Sequence, residues 1–150
     1  MKRSPLKRRS ERADLISEAD VLVRQIIMER DHNECQRCGN LHQLQAAHLL
    51  SKARRPRLRF ELLNVIALCK GCHLYFAHKD PIGFTDWLQH KYPGRIEALK
   101  LMAATAGRTD LKELLIGLRY ILRAKDERQK RERSGEASSK GDDPLRSHQP

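Results

Sequence analysis

No stretch of this sequence approaches the ~20 apolar residues that a membrane-spanning helix needs, and the basic opening "MKRSPLKRRSERAD" has no apolar segment behind it to make a secretory signal. The expectation is a soluble chain that works inside the cell, with no membrane partner. Aromatic residues make up only 5% of the chain, and 19 acidic residues face 30 Lys and Arg. The first shortage limits the core, and 150 residues leave room for one domain of ~100 residues plus tails. The second leaves a net charge of +11, which suits a polyanion such as nucleic acid because clustered Lys and Arg release its counterions. The plain alternative is charge that serves solubility. No internal repeat is visible.

Cysteine is also scarce, but its placement is ordered: Cys35-x-x-Cys38 is followed by Gly39, and Cys69-x-x-Cys72 contains Gly71. In a reducing compartment two such pairs point to a metal rather than to disulfides. Two-residue spacing aims successive thiolates at one ion, the glycines permit the tight turn, and four sulfurs close a tetrahedral shell around structural Zn2+. Such a shell leaves no open position, so chemistry must lie elsewhere. The segment between the pairs must bring the chain back to its start, which makes the expected fold a small α+β treble clef: knuckle, hairpin, second knuckle at a helix N-terminus.

Residues 1–14 are polar and basic and read as a disordered arm, with Lys2, Arg3, Lys7, Arg8 and Arg9 free to lie along phosphates. An apolar period over Val21, Val23, Ile26, Ile27 and Met28 predicts a helix that Ser17 or Asp20 caps and "RDHN" ends. "QLQAAHLL" and "LLNVIAL" predict the two strands of the hairpin. A helix should open at the second cysteine pair and stop at Pro81-Ile82-Gly83, with "FTDWLQHKY" and "RIEALKLMAATAG" as further helices. Tyr75, Phe84 and Trp87 are expected to close the core there. The stripe Leu111, Leu114, Leu115, Leu118, Ile121 and Leu122 marks a last helix with Asp110 and Glu113 as its capping box. That stripe either covers the domain or makes a homodimer. The organisation expected is core 15–92, helical extension 93–130 and a disordered tail 131–150.

His48 falls on the first strand, Asn64 starts the second, and His73 opens the helix after the knuckle, so a hairpin folded on a helix can gather all three. This order, "AAHLL" then "LLNVIALCKGCH", resembles the HNH nuclease superfamily with its ββα-metal fold over residues 25–80. Within it, "ERDHNECQRCG", "LQAAHLLSK" and the basic "RPRLRF" ahead of "LLNVIALC" are similar to phage recombination nucleases of the NinG-like kind. The resemblance implies a DNA endonuclease, phage or prophage encoded and acting in the host cytoplasm, that leaves a 5′-phosphate and a 3′-hydroxyl. It implies His48 as general base, His73 as ligand to a catalytic divalent ion (Mg2+, Mn2+, Ni2+ or Zn2+), and Asn64 as either a further ligand or the residue that fixes the loop orienting His48. Where HNH sites commonly carry a ligand just before the base, this chain has Ala47. His78 is the candidate replacement, although an ideal α-helix turns it ~140° away from His73.

Lys52, Arg54, Arg55, Arg57 and Arg59 link His48 to Asn64 and would contact phosphates beside the cut, on duplex or branched DNA, without reading bases. The alternatives are a catalytically silent zinc-knuckle DNA-binding module, in which Ala47 marks lost activity, and an enzyme that processes RNA.

Overall fold

Ser10 opens the first helix, α1 (Glu11–Arg30), by accepting a hydrogen bond from the Ala13 amide. This is earlier than the cap expected at Ser17 or Asp20: the first turn of α1 faces solvent, and the apolar side begins at Leu15, ahead of the Val21 where the expected period begins. The computed structural model describes residues 10–105 and 107–134. The arm expected over 1–14 lies outside the described residues up to residue 9, and its residues 11–14 are instead the first turn of α1; the tail expected over 131–150 lies outside them from residue 135, and its residues 131–133 instead continue the last helix.

Two strands follow, β1 (Leu44–His48) and β2 (Val65–Cys69), paired antiparallel with His48 opposite Val65 and Leu44 opposite Cys69. Every residue of β2 is buried, since the sheet is covered on both faces. Val65 and Ala67 join Val23, Ile27, Leu115 and Leu118 in one apolar cluster, while Ile66 and Leu68 join Cys35, Cys72, Phe84 and Leu88 in the other. Both clusters thus share a five-residue strand. The end of α1 is stitched to that strand by Arg30, which donates to the Leu62 and Val65 carbonyls, and by buried Asp31, which accepts from the Ala67 amide at 2.7 Å.

Beyond β2 the chain enters a π-helix over Cys72–Ala77, then α2 (Pro81–Lys91), α3 (Arg95–Thr105) and α4 (Leu111–Arg133). Pro81 was expected to stop a helix and instead begins one: it occupies the first turn of α2 behind the N-cap Asp80, where its missing N–H costs nothing. Phe84 is buried and stacks on half-buried Trp87 at 5.6 Å, whereas Tyr75, expected in this core, is 64% exposed. In α4 the predicted stripe is buried against α1, so it covers the domain. Asp110 caps α4 by accepting from the Lys112 and Glu113 amides. Ion pairs Glu11–Lys112 and Glu18–Arg119 fall at the same sequence offset, so α1 and α4 lie side by side and parallel, with their N-termini at one end.

Candidate metal centre and active site

The four cysteines come together as the hairpin returns the chain to its first knuckle, and their sulfurs all lie within 4.8 Å of one another. Cys38 Sγ is 3.7 Å from Cys69 Sγ and 3.6 Å from Cys72 Sγ. A tetrahedron with metal–sulfur bonds of ~2.3 Å has edges of ~3.8 Å, so these spacings fit a structural metal such as zinc and are far too long for a disulfide. Gly39, at φ +73°, takes the left-handed turn that closes the first knuckle. The Cys72 amide points at Cys69 Sγ, and Arg37 donates to Cys72 Sγ from a position 3.6 Å above the Phe76 ring. Burial, then the neighbouring sulfurs, push the Cys72 thiol up to about 12, a penalty that a divalent cation among the sulfurs would remove.

His48 ends β1 and its Nε2 lies 2.8 Å from the Arg59 carbonyl. A carbonyl only accepts, so Nε2 carries the proton and Nδ1 is left as the basic nitrogen. Arg59 is held in turn: its guanidinium donates twice to Asp20, at 2.6 and 3.1 Å. Burial first, then the Lys52 and Arg59 charges, lower the His48 pKa against the opposing pull of the Arg59 carbonyl and Asp20. The imidazole is thereby kept neutral near pH 7.

His73 Nδ1 lies 2.7 Å from Gln45 Oε1, which fixes the proton on Nδ1 and leaves Nε2 as the lone-pair nitrogen of the ring. Its ring is 4.8 Å from that of His78. The π-helix accounts for this. Its hydrogen-bonded neighbour is five residues on rather than four, so His78 returns over His73, where an α-helix would have separated them. The His73 pKa is lowered by burial first, then by the neighbouring His78 and, last, by His48. The three imidazoles are not drawn as tightly together as the sulfurs: among the described residues, the group of three or more potential ligands that closes up is the cysteine set.

Asn64 is bound to the loop rather than to these histidines. Fully buried in the 3-10 turn Leu62–Asn64 ahead of β2, it accepts from the Leu50 amide at 2.7 Å and donates to the Leu50 and Leu58 carbonyls at 3.0 Å. Of the two roles expected of it, clamp of the loop or metal ligand, these three bonds are the geometry of a clamp. Ala47 is buried against the second apolar cluster and offers no ligand atom. Lys52, Arg54, Arg55 and Arg57 are exposed on the loop, as expected. Arg59 is the departure, half-buried and spent on Asp20 rather than open to phosphate. Sequence reasoning missed Gln45, whose signal was only its place three residues ahead of His48 on the same strand, and Asp20, which it took for a helix cap.

A family model described as Bacteriophage Lambda NinG protein matches residues 1–113. Comparisons with curated proteins and with solved structures return no match.

Proposed function

Because the chain belongs to the family of the bacteriophage lambda NinG protein, we propose that it is a metal-dependent DNA endonuclease of the HNH type serving phage recombination, with a structural zinc in its cysteine cluster. The observation that carries the reading is an oriented His48 together with a His73–His78 pair whose first member has its lone pair on Nε2. His73 and His78 would hold the catalytic divalent cation, which when bound would supply Lewis-acid polarisation of the scissile phosphate.

The remaining work falls to the chain. His48 Nδ1 takes a proton from water as its oxygen attacks phosphorus, and the P–O3′ bond breaks, leaving a 5′-phosphate and a 3′-oxygen that takes up a proton. The Arg59 carbonyl keeps the ring aimed and steadies the imidazolium that forms. Asn64 holds loop 50–58, and so keeps Lys52, Arg54 and Arg55 beside the cut. Incubation of plasmid DNA with the purified protein and Mg2+, Mn2+ or Ni2+ should give cleavage that His48→Ala removes. Cutting that survives the substitution would reject the proposed base.

One observation favours a second reading. Ala47 is buried and apolar where a ligand is expected, which suits a silent zinc-knuckle module that binds DNA without cutting it. Binding with no cleavage under any of the three ions would select it.

A further inference from the structure

Three cavities that share lining residues join into one groove along loop 50–58 and the N-termini of α1 and α4. The largest, of 610 Å³, lies between the N-termini of α1 and α4 and shares Arg12 and Arg108 with a middle cavity of 410 Å³. The middle cavity shares Arg57 with a smaller one of 180 Å³ that reaches Arg54 and Arg55. Arginines from α1, from loop 50–58 and from the α3–α4 connection therefore line one continuous path. Ile16, Phe60 and Leu111 contribute apolar lining.

The charge balance of the path is positive. Its acids are engaged: Glu11 pairs with Lys112, and Asp110 is occupied in capping α4. Among the described residues no ion pair engages Arg12 or Arg108. The helix termini there are already capped by Ser10 and Asp110, so the guanidinium groups carry the attraction. The path also connects to the candidate active site through one residue. Arg59 lines the middle cavity, while its carbonyl accepts the hydrogen bond that orients His48.

We propose that this groove extends the binding site for the sugar–phosphate backbone of nucleic acid, running from Arg54 and Arg55 beside the cut to a distant end at Arg12 and Arg108. It rests on the nuclease reading for the identity of the polyanion. A row of arginines on separate segments fits a repeating phosphate chain better than a single anion, and such contacts fix register without reading sequence.

The test is equilibrium binding to a ~25-base-pair duplex across a salt series, made in a His48→Ala background so that cleavage does not intrude. Arg12→Glu/Arg108→Glu should weaken binding about tenfold or more at low salt. It should also reduce the slope of log K against log salt by about 2, near 0.9 for each phosphate contact. Arg123→Glu/Arg131→Glu, on the exposed far part of α4, changes net charge equally and should cost less than about twofold. Arg12→Lys/Arg108→Lys should keep most of the slope, which separates loss of charge from loss of fold. Equal losses in the two Glu pairs, or an unchanged slope in the groove pair, would overturn the proposal. So would a polyglutamate peptide of matched charge that displaces duplex from the groove at equal concentration, which would assign it to an acidic protein. Failure to cut DNA, with these binding results intact, would sink the cleavage reading alone.

Discussion

Asn64 is as buried as the Val65 and Ile66 that follow it, and is tolerated because every hydrogen bond its amide can usefully make is made to the loop backbone. Asn64→Leu should leave the Leu50 amide and the Leu50 and Leu58 carbonyls unpaired, at about 1–3 kcal/mol for each group and not additively. A loss of ~3 kcal/mol in urea unfolding is expected. A change below the error of the measurement would show that the loop is held by something else. His48 makes a prediction of a different kind. With its pKa lowered by burial, the acid limb of kcat/KM should lie below the ordinary imidazole value near 6.5. The same shift gives a stability term whose sign is fixed: it is present above the unfolded value and is lost as pH falls through the lowered folded value, because the unfolded chain then binds the proton first. Melting temperature compared between pH 7 and pH 5 should fall less in His48→Gln than in the parent. Both histidines and the asparagine stand out in the sequence as candidates. Their partners do not, since Gln45, Asp20 and the Arg59 carbonyl reach them through tertiary folding that no local pattern records.

At the scale of an element, the π-helix is the feature that sequence reading got wrong for a definable reason. A fixed 100° per residue separates His73 from His78, and nothing in "CHLYFAH" announces the wider winding. Deleting exposed Tyr75 should relax the segment to an α-helix and leave the two histidines four apart, still on one face. Metal-dependent cutting should then persist. Inserting an alanine at the same point should separate them and end cutting, with circular dichroism and zinc content unchanged. If both variants behave alike, His78 is no ligand. The strands, by contrast, were readable to within a few residues, because a hairpin buried on both faces needs the continuous apolar run that "NVIALC" supplies. The early start of α1 was missed because a solvated first turn carries a cap but no period.

For the whole molecule, the decisive economy is that one short sheet serves two small clusters, neither large enough to be secure alone. The cluster around the knuckles contains Cys35, Cys69 and Cys72 themselves, so metal and apolar burial stand or fall together there. Cys69→Ser, or a strong chelator, should remove cooperative thermal unfolding, whereas His73→Ala should keep it together with DNA affinity. A chelated protein that melts as sharply as the parent would refute the metal's structural role. The cysteine spacing made this half of the fold readable. The arginine groove was not, because Arg12 and Arg108 are far apart in sequence and only the parallel packing of α1 on α4 brings them to one cavity.

That parallel packing also sets a schedule. The apolar face of α1, with Val23, Ile26 and Ile27, is covered by Leu115, Leu118 and Leu122, which the ribosome delivers about a hundred residues later. The zinc half of the domain has all its parts by residue 96, so it can mature while synthesis continues and α1, covered by the hairpin on one flank, waits with the flank that α4 will cover still bare. A nascent chain halted near residue 113 would hold its metal yet remain sticky, and the final helix acts as the latch that ends this vulnerable interval.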